Sequence, residues 1–247
     1  MHLPKFLEPS KEKTEADELK FGQGDFVTNP KPILPVCLCL DTSGSMFPYI
    51  KDLNEGIQAF FKDVEEDPKA RHLLEIAMVR YGPDVQVVRD FLLFDRVPQA
   101  PALSADGGTP MGVAVNQALD LLESRKGLYH SRGQEYFQPW LVLMTDGEPT
   151  ETNEVWTAAA RRSAEMASNK KLVVFPIAVG PDANLSVLQQ FSPGRVPVRL
   201  REEVTGSNPT YRFKDFFGWL STNVIAKSVS APGEKTPLTP IGWGDTD

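Results

Sequence analysis

The chain has 247 residues, of which 41% are hydrophobic and 24% charged, the proportions of a globular protein. Lys and Arg total 26 against 33 Asp and Glu, leaving a net charge of −7. That balance argues against nucleic-acid binding, which needs cations to displace counterions from phosphates, and the lack of a long basic run argues against an anionic membrane surface. No run approaches the ~20 apolar residues that span a bilayer. The opening MHLPKFLEPSKEK lacks the apolar stretch of a secretory signal. Together these features predict a cytoplasmic protein.

Residues 1–32 are polar and charged and predict an extended arm. ILPVCLCLD, from residue 33, is a continuous apolar run of β-formers, the pattern of a strand buried on both faces. Cys37 and Cys39 share one face of it as buried thiols, since such close neighbours are poorly placed for a disulfide and a metal needs more ligands. Ile50, Leu53, Ile57, Phe60, Phe61 and Val64 recur at helical spacing, and Pro68 closes that helix. LLEIAMVRY and VQVVRDFLLF, separated by Gly82-Pro83-Asp84, predict a hairpin.

Residues 95–109 read as loop. Thr109-Pro110 then opens a helix whose apolar face is Met111, Val115, Ala118, Leu119 and Leu122. WLVLMTDG is a further buried strand, followed by a helix over 153–168 and the strand KLVVFPIAVG. A shorter helix over 184–191, a short strand VPVRL and a last helix marked by Phe213, Phe216, Phe217, Leu220 and Val224 complete the domain. Trp219 lies off that last face and is free to meet the tail or a partner. The tail, residues 228–247, is rich in Pro and Gly and predicts no regular structure. Phe6, Leu7, Phe21, Phe26, Leu238, Ile241 and Trp243 nevertheless predict that one or both ends pack on the domain surface or on a partner, because exposed aromatics in polar arms are costly.

Strands alternating with helices imply an α/β fold: a mostly parallel central sheet with one antiparallel edge strand and helices on both faces. Ligands of such sheets bind beyond the carboxyl ends of the strands. Three polar clusters fall there: Asp41-Thr42-Ser43-Gly44-Ser45-Met46, Asp106-Gly107-Gly108-Thr109-Pro110-Met111-Gly112, and Thr145-Asp146-Gly147-Glu148-Pro149-Thr150. Their donors are all oxygen, which selects hard cations: Mg²⁺ first, with Mn²⁺ or Ca²⁺ as alternatives. Helix capping by Asp41, Ser43 or Thr109 and a plain turn at Gly107-Gly108 are the competing structural readings. No P-loop follows Gly107, and Thr42 stands where the first glycine of a nucleophile elbow would be.

The order Asp41, Ser43, Ser45, Thr109, Asp146 resembles the metal-ion-dependent adhesion site of von Willebrand factor A (VWA) domains, over residues 33–227. The words LDTSGSM, GGTPMG and TDGEPT, the aromatic helix FKDFFGWLS and the closing GW are similar to the bacterial TerY type, named for tellurium-resistance clusters. The resemblance implies a Rossmann-like VWA fold. In it, hydroxyls of Ser43, Ser45 and Thr109 face one metal, and Asp41 and Asp146 hold it through water. A cation with neutral direct ligands keeps its charge and seeks a carboxylate, which in this family the partner protein supplies from an Asp or Glu. The resemblance further implies a non-enzymatic adaptor or scaffold in a bacterial stress-response, tellurite-resistance or phage-defence system, often encoded near a protein kinase or a metal-dependent phosphatase. The alternative is an aspartyl phosphotransferase or phosphatase with Asp41 as nucleophile. Ser43 stands where that chemistry expects a second acid.

Overall fold

The computed structural model describes residues 31–93, 99–205, 208–227 and 237–246. Residues 1–30 of the arm, with Phe6, Leu7, Phe21 and Phe26, and residues 228–236 of the tail lie outside the described residues.

The central sheet contains β1 (Leu34–Asp41), β2 (Leu74–Tyr81), β3 (Val85–Leu93), β4 (Trp140–Thr145), β5 (Val173–Ala178) and β6 (Val198–Leu200). Its order is β3-β2-β1-β4-β5-β6, closed at the far edge by a two-residue strand, Gly244–Asp245, which is β9 in chain order. β1 runs parallel to β2 on one side and to β4 on the other. β3 is antiparallel to β2, the edge strand expected from the hairpin. β9 is antiparallel to β6, a second such edge.

β1 is buried along all eight residues, and its alternation feeds two cores. Leu34, Val36, Leu38 and Leu40 enter the core shared with α1 (Ile50–Glu66) and α6 (Phe213–Lys227). Cys37 and Cys39 enter the core shared with α3 (Met111–Arg132), α4 (Asn153–Ser168) and α5 (Leu185–Phe191). Both thiols are free and fully buried, as their spacing predicts. Burial raises the Cys39 thiol well above its ordinary range and pushes Cys37 up as well.

Pro68 ends α1, but it also opens α2 (Pro68–Leu73) at the first helical position. Asp67 caps that helix by accepting the Lys69 and Ala70 N–H groups, both at 2.8 Å. α1 and α6 approach closely at Gly56. A Cβ there would sit 2.8 Å from Phe217 Cδ2 and 3.0 Å from Phe213 Cβ.

Several features escape the apolar pattern. A small hairpin, β7 (Glu202–Thr205) and β8 (Asn208–Tyr211), stands outside the main sheet; strands this short carry too few apolar positions to show a period. Glu75, inside β2, is fully buried. Arg125 donates to its two oxygens at 2.6 Å each, and the Tyr129 hydroxyl donates to it as well. The tail is not wholly irregular: besides β9, it buries Trp243 against Phe216 and Trp219, with ring centroids 4.9 and 5.5 Å apart. Trp219 does meet the tail, donating its indole N–H to the Thr239 carbonyl at 2.9 Å. Among the described residues, no helix is long and apolar enough to cross a membrane.

Candidate metal centre

β1 and β4 are neighbours in parallel register, so their carboxyl ends deliver Asp41 and the Thr145-Asp146 pair to one place. Beyond β1 the chain makes a 3-10 turn over Gly44–Met46, which brings Ser43 and Ser45 onto the same rim. Ser43 Oγ and Ser45 Oγ are 3.0 Å apart, and Ser45 Oγ donates to Asp146 Oδ1 at 2.8 Å. Asp41 Oδ1 accepts the Ser43 N–H at 2.8 Å, and its Oδ2 accepts the Thr145 hydroxyl at 2.6 Å. Four of the five sequence-predicted residues thus form one hydrogen-bonded chain.

Thr109 arrives on the loop before α3, which is tied to both other loops. The Gly44 N–H donates to the Gly107 carbonyl at 2.9 Å, and the Thr150 N–H donates to the Thr109 carbonyl at 3.0 Å. Thr150 Oγ1 in turn accepts the Thr109 N–H at 2.9 Å. Gly107 adopts a left-handed φ of 74°, and a Cβ there would lie 2.4 Å from Pro83. Only glycine fits both the conformation and the space.

Asp41 does take a backbone amide ahead of the turn, through the Ser43 N–H, but the capping alternatives for Ser43 and Thr109 do not hold. α3 begins at Met111 with Pro110 in the capping position and no side-chain cap, so Thr109 does not serve there. Ser43 precedes the 3-10 turn without a side-chain capping bond. The hydroxyls are therefore not consumed by backbone amides.

Asp41, Ser43, Thr109 and Asp146 are buried, and Ser45 is exposed. Burial raises the Asp41 carboxyl to about 6, against the lowering effect of its hydrogen bonds from Ser43 and Thr145. Burial likewise raises Asp146, with Asp182 adding repulsion. Two desolvated carboxylates at a strand end are the environment that a divalent cation relieves. Among the described residues, no group of three or more His, Cys, Asp or Glu is placed to hold a metal. A cation at this rim would depend on hydroxyl oxygen, which suits a hard ion. The chemistry of the donor set, two serine hydroxyls linked to two carboxylates with Thr109 on the adjoining loop, fits such an ion.

Sequence reasoning passed over three supporting residues. Thr145 holds Asp41, Thr150 holds Thr109, and Thr42 binds the Tyr81 carbonyl at 2.9 Å while its own carbonyl accepts the Asp106 N–H at 2.8 Å. Their one legible signal was position: each lies in or beside a strand-end cluster.

The family model described as von Willebrand factor type A domain matches residues 36–213. This chain belongs to that family. Among solved structures, von Willebrand factor type A from Catenulispora acidiphila is similar with a TM-score of 0.59 and 18% identity, over 79% of this chain and 43% of that one. The pilus adhesin SpaC from Lactobacillus rhamnosus GG gives 0.57 and 12%, over 80% and 31%. The manganese-loaded TRAP protein of Plasmodium vivax gives 0.50 and 13%, over 80% and 74%. At these identities the likeness shows the VWA fold alone. The chain spans less than half the length of the C. acidiphila protein it matches. No curated protein matches the sequence.

Proposed function

We propose that this VWA domain is a non-enzymatic protein-binding module built around one divalent cation. Ser43, Ser45 and Thr109 supply hydroxyls to it, Asp41 and Asp146 act through water, and a partner's Asp or Glu completes the shell. The observation that carries this reading is the Ser43 and Ser45 hydroxyls, unused as helix caps and linked to the buried Asp146 and Asp41 at the ends of adjacent parallel strands, with the Thr109 loop tied to the Gly44 turn and to Thr150. Mg²⁺ is the first choice, with Mn²⁺ or Ca²⁺ as alternatives; that a structural neighbour is manganese-loaded supports a divalent ion. Neutral direct ligands leave the cation with charge to spare, and an incoming carboxylate satisfies it.

The words LDTSGSM, GGTPMG and TDGEPT support a TerY-type assignment within the family. On that basis the domain serves as a cytoplasmic adaptor or scaffold in a bacterial stress-response, tellurite-resistance or phage-defence system. A protein kinase or metal-dependent phosphatase encoded nearby is the partner to test first. An Asp41 nucleophile is disfavoured, because the carboxyl is fully buried and both its oxygens are engaged. Beryllofluoride labelling that depends on Asp41 would restore that alternative.

The test is capture of a partner by the wild type in Mg²⁺, the wild type in EDTA, and Ser43→Ala/Ser45→Ala in Mg²⁺. Capture should occur only in the first, with circular dichroism showing all three folded. Equal capture in all three overturns the metal bridge.

A further inference from the structure

At the amino-terminal ends of β4 and β5 lies a cavity of about 1190 Å³. β4 has six residues, so this cavity is separated from the Asp41–Asp146 rim by ~17 Å of strand. Although the chain as a whole is acidic, five cations line the cavity: Lys126, Lys170, Lys171, Arg195 and Lys227. The lining holds a single carboxylate, Glu123, and that one is paired with Lys126 at 2.6 Å.

Lys170, Lys171 and Arg195 have no ion-pair partner among the described residues. Arg195 is half-buried, its guanidinium 4.7 Å from the centre of the Phe175 ring. Burial lowers its pKa, the mark of a cation held in place without a counter-charge. Behind it the buried rings of Trp140 and Phe175, 5.3 Å apart, form the floor that joins the cavity to the core. Tyr136 stands at the rim, its hydroxyl 3.0 Å from His130 Nε2.

A second observation concerns the backbone. α4 ends in a Schellman turn: the Lys170 N–H donates to the Ala167 carbonyl and the Lys171 N–H to the Met166 carbonyl, at 3.0 and 2.9 Å. That turn puts Lys170 at φ 56°, a left-handed position where glycine is the usual occupant. The fold accepts strain to present a lysine at the cavity wall. Strain of this kind points to a use for the side chain.

We propose that this cavity is a binding site for a nucleotide, distinct from the metal centre. Lys170, Lys171 and Arg195 receive the phosphates, and the half-buried ring of Tyr136 receives the flat base. Its volume is ample for such a ligand, whose pockets typically enclose ~300–1,000 Å³. A concave site with converging cations suits a compact polyanion better than an extended acidic peptide, which would seek an exposed sheet edge for its backbone.

The full chain is titrated calorimetrically in EDTA with ATP, GTP, tripolyphosphate and adenosine as probes. At least one nucleotide should saturate a single site, tripolyphosphate should bind more weakly and adenosine more weakly still. Lys171→Glu should weaken nucleotide binding at least tenfold. Lys170→Gly should also weaken it while holding or raising the melting temperature, because glycine relieves the left-handed strain. Asp146→Ala, at the other end of the sheet, should leave it unchanged. The proposal is overturned if neither nucleotide saturates, if both lysine variants bind normally, or if tripolyphosphate binds as tightly as the nucleotides. A glutamate-rich octapeptide that binds more tightly than any of them overturns it in favour of an acidic protein partner.

Discussion

Asp41 has both oxygens bonded within the protein and no exposure to water, yet its carboxyl must ionise to support a cation. Burial holds its pKa at about 6, so protons compete with the metal below that value. One proton with this pKa leaves about a tenth of the sites ionised at pH 5, and Mg²⁺ affinity should therefore fall roughly tenfold between pH 7 and pH 5. Calorimetric titration at the two pH values checks this; equal affinities would mean that Asp41 plays no part in holding the ion. Two residues after Ser45, Phe47 is 75% exposed, an apolar ring left in water beside the proposed contact point. Aromatics in such positions often anchor a partner. Phe47→Ala should weaken capture of the partner by more than about 1 kcal/mol. It should leave the melting temperature close to that of the wild type, because the ring packs on nothing that burial would reward. A binding isotherm and a melt on the same sample separate the two effects.

At the scale of elements, α6 is held by the aromatic face its spacing predicts: Phe213, Phe216, Phe217, Leu220 and Val224 are all fully buried. Phe217 packs against Phe60 of α1, with ring centroids 5.8 Å apart, and lies over the Gly56 gap that lets the two helices approach. Phe217→Ala should cost about 3–5 kcal/mol, read as a shift in urea midpoint. An unchanged midpoint would show that α6 contributes little to the fold. The short hairpin β7–β8 and the added helix α2 were less legible, because propensity speaks weakly for short elements. α2 exists because Asp67 and Pro68 form a good helix start immediately after a helix end.

For the whole molecule, the described part of the tail is structural. Deleting residues 237–247 removes β9 and strips Trp243 from the Phe216–Trp219 cluster. It also leaves the Trp219 indole N–H and Asn223 without their bonds to Thr239. The truncated protein should melt several degrees lower and be cut faster by protease; an unchanged melt would mean that the tail merely rests on the surface. Chelation should do the opposite, releasing the partner without lowering folding cooperativity, since two apolar cores on either side of the sheet stand without the metal.

The amino-acid order alone determined the α/β class, the buried strands, most helix faces and the three oxygen-rich clusters at strand ends. Those features are local: an apolar period or a run of turn residues is complete within a few positions. Tertiary structure decided how the clusters meet, because the parallel register of β1 and β4 sets Asp41 beside Thr145 and Asp146. It also decided that Thr109 caps nothing, since Pro110 occupies the capping position. The buried Glu75–Arg125 pair joins residues fifty positions apart, and no periodicity announces a charge whose counter-ion lies on another element. The cationic cavity is the same kind of feature. Its lysines and Arg195 are scattered through the sequence, and only the shared end of the sheet gathers them.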